Sequence, residues 1–371
     1  MGSKPRGISA SRAGTVLGLN SFQTQFELWQ RIMEEEYPGH NEKHGYTLPE
    51  DPDNASIRWG HAFEDAIVKL AEEQTFYEII ARERLYYYHP EFGTLEACKG
   101  MYTKVVPFGQ YITCHIDGMF ANNATLKKTL HEGKTTTVYQ HRNEWGTPGT
   151  NRVPAYIQCQ VQHQLLCTGA DKCIVSVLVF PKRPDEWEAE GYEVGLAFGS
   201  DNDTVINIII KYTHDEKQEF KYEDWKIPAW AWAKPLEQMG FFHQYPITAD
   251  KNLQTMMISR YQAWWEKHII GKTPPDPETY EDMRRYFPDP VGTIKAPDDL
   301  ASLCKEYAMI TKETGKKSRL SIRRENIKVK ILSWMKEQDG CIDDDSREKT
   351  ILVDNTGKKL ATWDGRKFLC R

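Results

Sequence analysis

Two short β-prone stretches, joined by a polar linker, constrain this chain more than any other feature of its sequence. The first is His115-Ile116-Asp117-Gly118-Met119-Phe120, and the second is Leu130-His131-Glu132-Gly133-Lys134-Thr135-Thr136. β-Branched and aromatic residues dominate both, and Asn122-Asn123-Ala124-Thr125 between them is turn-prone. A pair of strands in this order places Asp117 and Glu132 at neighbouring strand ends. Two carboxylates converging there form an oxygen-rich site suited to Mg²⁺ or Mn²⁺. Lys134 follows Glu132 by two positions, so on a strand both project from one face. Two acids and a lysine are the minimum apparatus for metal-assisted phosphodiester hydrolysis. The same residues also fit a surface hairpin with solvated charges.

Asp117 followed by Glu132-Gly133-Lys134 resembles the signature of the PD-(D/E)XK nuclease superfamily. The resemblance implies an α/β fold with a mixed sheet flanked by helices.

Composition sets wide bounds. A chain of 371 residues holds one large domain or a domain with extensions, and its 40% hydrophobic content is ample for a core. It has no uninterrupted apolar stretch of about 18 residues, so no membrane span is expected. Met1-Gly2-Ser3-Lys4-Pro5-Arg6 lacks the apolar region of a secretory signal, and a cytoplasmic setting is expected. None of the eight cysteines forms a CxxC pair, which argues against a zinc ribbon or an iron–sulfur cluster and for reduced thiols. The net charge of −5 does not announce a nucleic-acid binder, yet it excludes none, because the local potential decides.

Taken in order, residues 8–20 read as a helix with Ser9 or Ser11 as cap and Gly18 as stop. A second helix is expected from Gln25 to Glu35, and a loop from His40 to Asn54. Arg58 to Leu70 has apolar residues at helical spacing. Glu64 lies beside that stripe, where a carboxylate is ordinarily a solvated edge residue. Glu78–Tyr88 and Tyr102–Phe108 read as strands, and Tyr139–Asn151 as an exposed loop. Pro154 opens a helix that carries Tyr156, Gln160 and Gln164 at four-residue steps, with His163 beside them. Cys173–Phe180 is a buried strand. Glu188–Val194 and Thr204–Tyr212 are further strands around a Ser200–Asp203 turn. Trp230 and Trp232 beside Lys234 suit either packing or base stacking. Leu253–Ile270 is helical. Asp298–Ile310 and Ser318–Gln338 form two helices around Thr314-Gly315. Their basic residues, Arg323, Arg324 and Lys328 among them, suit a solvated face or a DNA path. Lys349–Trp363 reads as a terminal hairpin. Residues 1–290 are expected to form the core, and 291–371 a helical and hairpin extension.

Four stretches stand in a definite order: Ile8-Ser9-Ala10-Ser11, Trp59-Gly60 with Glu64, Asp117-Gly118 with Glu132-Gly133-Lys134, and Gln160-Val161-Gln162-His163-Gln164. In this order they resemble the YqaJ/phage lambda exonuclease family. The resemblance implies that Asp117, Glu132, Glu64 and the Gly133 carbonyl bind Mg²⁺ or Mn²⁺. It further implies that Lys134 and Gln160 handle the nucleophilic water. It implies too that Ser11 holds a DNA 5′-phosphate, with Arg12 and Arg6 as the nearest cations. The sequence departs from the family at Gly133, where an apolar residue is usual, and in a long segment before the glutamine-rich motif. The implied activity is 5′→3′ exonucleolytic digestion of double-stranded DNA ends in phage-type recombination. Ring-like homo-oligomers and a single-strand annealing protein are the implied partners. An endonuclease or nickase of the same fold, and an inactive DNA-end-binding protein, are the alternatives.

Overall fold

The computed structural model describes residues 7–48, 54–82, 84–89, 93–96, 112–121, 128–199, 204–214, 220–287, 292–313, 319–337 and 349–370. The Asn122–Thr125 linker, the Tyr102–Phe108 stretch, the Ser200–Asp203 turn, Thr314-Gly315 and Arg6 lie outside them. The chain divides into two compact units. One comprises Met1–Leu17 and Glu50–Tyr261, the other Gly18–Pro49 and Gln262–Arg371. The helices and strands expected within 291–371 lie in the second unit, together with 18–49 and 262–290.

The first unit holds three sheets. Its strands in chain order are β1 (Ile8–Ser9), β2 (Ile79–Ile80), β3 (Leu85–His89), β4 (Gly93–Glu96), β5 (Ile112–His115), β6 (Gly118–Phe120), β7 (Thr129–Thr137), β8 (Lys172–Phe180), β9 (Tyr192–Phe198), β10 (Val205–His214), β11 (Phe220–Pro228) and β12 (Phe242–Thr248). The central sheet runs β12-β8-β7-β6-β2, with β7 and β8 parallel and the other pairs antiparallel. A second sheet runs β1-β5-β3-β4, and a third, antiparallel, β11-β10-β9. This mixed α/β arrangement matches the expected fold class. The β8 residues Cys173, Val175, Val177, Leu178, Val179 and Phe180 are buried, as an apolar run flanked by strands on both sides requires.

Two helices cover the two faces of β7. The helix Ala55–Thr75, capped by the Asn54 side chain accepting from Ile57 N–H, lies on one face. A Cβ at Gly60 would come 3.4 Å from Thr135 Oγ1, and one at Gly133 would come 3.3 Å from Ile67 Cγ2. The helix Ala155–Thr168, here the glutamine helix, lies on the other face and reaches Glu132. Pro154 is its N-cap rather than its first residue, and Gly169 in the left-handed region (φ 65°) ends it.

Several elements differ from the sequence expectation. Residues 8–20 are not one helix. Ile8 and Ser9 pair in parallel with Ile112 and Thr113, and only a 3-10 turn (Ala10–Arg12) and a short helix (Ala13–Val16) follow. The Ser9 side chain caps nothing. Strand pairing with a partner a hundred residues away, invisible to local propensity, takes the segment. Residues 138–144 form a helix inside the expected 139–151 loop, because the Thr137 side chain accepts from Gln140 N–H and caps it. Residues 184–189 are helical where a strand from Glu188 was expected. Pro184 starts that helix, and β9 begins only at Tyr192, after Gly191 (φ 88°). Trp232 packs against Trp59, Trp187 and Tyr192, and Lys69 Nζ sits 3.4 Å over the Trp230 ring. Both tryptophans thus take part in packing.

The second unit has its own core, with Met283, Phe287, Ile331, Met335, Leu352 and Trp363 among its fully buried residues. Its strands β13 (Thr293–Lys295), β14 (Thr350–Val353), β15 (Lys359–Trp363) and β16 (Phe368–Cys370) form one sheet in that order. The expected terminal hairpin is thus the middle of a four-stranded sheet, packed by helices Asp298–Glu313 and Arg319–Lys336. Asp282 is fully buried here. Its carboxylate accepts from the N–H of Thr279, the N-cap of the helix Tyr280–Tyr286, closing a capping box, pairs with Arg285 at 2.9 Å, and accepts from Thr24 Oγ1 at 2.9 Å. Among the described residues, no helix is long and apolar enough to cross a membrane.

Gly14 lets the Ala13–Val16 helix touch the glutamine helix. A Cβ there would lie 2.8 Å from Tyr156 Cβ and 3.1 Å from its Cα, and backbone cannot step aside. Gly14→Ala is expected to destabilise the fold by about 1–3 kcal/mol, measured as a lower urea midpoint with an unchanged slope.

Candidate active site

The site is built on β7. Strand alternation puts Glu132 and Lys134 on the face toward the glutamine helix, and Gly133 on the face toward the Ala55–Thr75 helix. Glu132 is 1% exposed. A buried carboxylate needs partners, and three side chains supply them. Lys134 Nζ donates to Glu132 Oε1. Gln160 Nε2 donates to the same oxygen at 2.5 Å, and Gln164 Nε2 donates to Oε2 at 2.6 Å. Asp117, just beyond β5, joins through the strand backbone, where Gly133 N–H donates to its Oδ2 at 2.8 Å.

The electrostatics follow from this crowding. Burial, then the Glu132 charge, push the Asp117 carboxyl up to about 7, against the opposing pull of Lys134 and the Gly133 N–H, with Glu64 adding to the rise. Burial works against the Lys134 ammonium, but the charges of Glu132 and Asp117 outweigh it, and its pKa rises. Lys134 is therefore a held cation rather than a base at neutral pH. His131, on the same strand face as Gly133, is 1% exposed, and burial lowers its pKa to about 3. Its ring packs edge-on to Phe120, and neither nitrogen has a hydrogen-bond partner among the described residues.

The glutamine-rich motif divides its work between two faces. Gln160 and Gln164, four residues apart, turn to Glu132. Gln162 is fully buried on another side, donating to Thr248 O at 2.7 Å and accepting from Asp250 N–H at 2.9 Å. His163 contacts Tyr261 Oη at 3.2 Å through Nδ1 and Thr113 O at 2.8 Å through Nε2. The Thr113 carbonyl only accepts, so Nε2 carries the proton and Nδ1 accepts from the tyrosine. Gln164 is the site residue that sequence reasoning placed on the stripe without giving it a role. Its four-residue step from Gln160 was the available signal.

Glu64 is only partly in place. Gly60 and Ile67 face β7, and Glu64, four residues after one and three before the other, lies on the same helix face. Its carboxylate pairs with His61 Nδ1 at 2.7 Å and is 54% exposed, so it stands at the flank of the Asp117–Glu132 pair. Among the described residues, no group of three or more His, Cys, Asp or Glu is close enough to hold a metal ion. The expected three-carboxylate cluster is thus not assembled by these side-chain positions.

Ser11 and Arg12 lie in the 3-10 turn that packs on the glutamine helix. Ser11 Oγ is 3.0 Å from Ser9 Oγ, and Arg12 Nη1 donates to Gly7 O at 2.9 Å. In the second unit, two of the described basic residues of the C-terminal run have acidic partners. Arg323 pairs with Glu306 at 2.9 Å, and Lys328 pairs with Glu325 at 2.8 Å while its Nζ lies over the Tyr280 ring.

The chain resembles known proteins over part of its length. Residues 2–171 match the family model of the YqaJ-like viral recombinase domain. The matched residues contain all four motifs, and the resemblance drawn from them holds over that stretch. The protein YqaJ of Bacillus subtilis (strain 168), itself uncharacterised, is 26% identical over 176 residues, covering 47% of this chain and 44% of that protein. This chain therefore spans less than half of that relative's length. Among solved structures, an alkaline exonuclease (LHK-Exo) from Laribacter hongkongensis overlaps with a TM-score of 0.38 at 12% identity, covering 71% of this chain and 88% of its own. A phage-related exonuclease from Haemophilus somnus 129PT overlaps with a TM-score of 0.36 at 11% identity, covering 72% and 96%. These overlaps are too loose to carry residue-by-residue correspondence.

His163, held neutral in the core with its pKa lowered to about 4 by burial, makes folding pH-dependent. The unfolded chain takes up this proton near pH 6.5 and the folded chain only near 4, so stability falls as pH drops through that window. Unfolding free energies measured from pH 7 to 4 are expected to fall less steeply in His163→Gln than in the natural protein, by up to about 1.4 kcal/mol per pH unit.

Proposed function

We propose that this chain is a metal-dependent deoxyribonuclease that digests linear double-stranded DNA from its ends, 5′→3′, in phage-type recombination. The observation that carries the proposal is the buried Glu132 carboxylate, gripped by Lys134 and Gln160, with Asp117 bonded to the intervening Gly133 N–H. The match of residues 2–171 to a viral recombinase domain supports the same reading.

The donor set fits a hard divalent cation. The buried Glu132 and half-buried Asp117 share one lysine, and Asp117 is pushed up to about 7, first by burial and then by its neighbour's charge, so the site favours a further positive charge. Asp117 and Glu132 would hold Mg²⁺ or Mn²⁺, with the Gly133 carbonyl and, after turning from His61, Glu64. Such an ion supplies Lewis-acid polarisation of the scissile phosphodiester. The chain's own groups do the rest. Lys134, kept charged by its acidic neighbours, offsets charge developing on the phosphate and holds the attacking water. The Gln160 amide, both donor and acceptor, orients that water without adding charge. Ser11 and Arg12, with Arg6, bind the 5′-phosphate and set the register of the end.

By the same reading the partners are double-stranded DNA ends, further copies of this chain in a ring-like assembly, and a single-strand annealing protein. The setting is the cytoplasm of a bacterial host.

Linear duplex DNA labelled at either end, with Mg²⁺, tests the proposal. Mononucleotides should appear from 5′-phosphorylated ends, and covalently closed circles should remain intact. Lys134→Ala should lower the rate by about 100-fold or more. Cleavage of closed circles would make the protein an endonuclease, and turnover indifferent to Lys134→Ala would refute the assigned site. Ser11→Ala should slow 5′-phosphorylated substrate by about tenfold, one charge-assisted contact's worth, while leaving 5′-hydroxyl substrate unchanged.

A further inference from the structure

The mechanism above leaves Gln164 without a task. It is 2% exposed and sits one turn beyond Gln160 on the glutamine helix. Its Nε2 donates to Glu132 Oε2 at 2.6 Å and reaches His115 O at 3.4 Å. Its Oε1 is buried with no hydrogen-bond partner among the described residues. A buried acceptor left unmatched is unfavourable, so an amide at this position is not explained by packing.

The bonds on Glu132 are divided unequally. Lys134 and Gln160 both address Oε1, whereas among the described residues Gln164 alone addresses Oε2. The terminal torsion of a glutamate is broad and roughly two-fold, so bonds to one oxygen leave the carboxylate plane free to swing. Lys134 and Gln160 are also the groups that the proposed reaction turns toward water and phosphate. Once they turn, only Gln164 still holds the carboxylate.

We infer that Gln164 is a positioning residue: its amide fixes the plane of the Glu132 carboxylate, so that Glu132 presents its oxygens to a divalent cation in one orientation. The inference rests on the nuclease reading for the cation, and on the geometry alone for the clamp. Partners that orient a ligating side chain in this way typically change metal affinity by about 10–100-fold when removed.

The test is Mn²⁺ titration calorimetry on the full chain, paired with steady-state kinetics on linear duplex DNA. Gln164→Leu should weaken Mn²⁺ binding by about 10–100-fold and lower kcat, with KM for DNA unchanged. Gln162→Leu serves as the control. Gln162 is equally buried on the same helix but bonds Thr248 and Asp250, so its loss should lower the melting temperature and leave Mn²⁺ affinity unchanged. Should Gln164→Leu not fold, Gln164→Met, unbranched and flexible, replaces it. Mn²⁺ affinity within about twofold of the natural protein, equal weakening by Gln162→Leu, or failure of both Gln164 variants to fold would each overturn the inference. A natural protein that binds Mn²⁺ but releases no nucleotide, beside a weaker-binding Gln164→Leu, would refute the nuclease reading and uphold the clamp. A natural protein that binds no Mn²⁺ would refute both.

Discussion

Glu132 is a charged group with 1% of its surface in contact with solvent, and the first unit is arranged so that this is tolerable. Burying a lone carboxylate is strongly unfavourable, and a buried pair is favourable only with good geometry and extra hydrogen bonds. Here the counter-charge comes from two residues along the same strand, where pleating alone delivers it. The amides come from a helix crossing the strand, and arrive only if that helix docks in one rotation. Gly14 permits the close approach, and Gln162 and His163 tie the helix to β12, to β5 and to Tyr261. The supports of one carboxylate thus extend through much of the unit.

One helix serves fold and site together because 3.6 residues per turn separates adjacent glutamines onto different faces. Gln160 and Gln164 share a stripe, while Gln162 and His163 point elsewhere and satisfy backbone groups in the core. The alternation in Gln160-Val161-Gln162-His163-Gln164 reads as one motif in the sequence, yet it is two sets of contacts in space. Gly133 has a similar double character. Its N–H holds Asp117, while its missing side chain lets Ile67 of the Ala55–Thr75 helix approach the strand. Only the second of these asks for glycine, since any residue but proline offers the N–H.

The second unit shows what charge patterning along the chain leaves out. Arg323 and Lys328 stand in a basic run, but each has an acidic partner close by, Glu306 on the neighbouring helix and Glu325 one turn away. A linear count of lysines and arginines registers the cations and not their pairing. Each such pair lowers the local positive potential that a phosphate backbone would follow.

The sequence by itself determined the local matters. The Gln25–Glu36 helix, the Ala55–Thr75 helix, the glutamine helix and the buried β8 strand are written in periodicity, caps and proline placement. The pairing of Glu132 with Lys134 followed from strand alternation, and the order of four motifs pointed to the domain that residues 2–171 match. Tertiary structure decided what depends on distant partners. It drew Ile8-Ser9 into a strand beside β5, because a backbone ladder a hundred residues away outcompetes local helix propensity. It turned Glu64 to His61, three residues earlier on the same helix, where side chains at that spacing are neighbours. It also gave Gln164 its place, because only the docked angle of a helix decides which of its polar residues meets a buried charge.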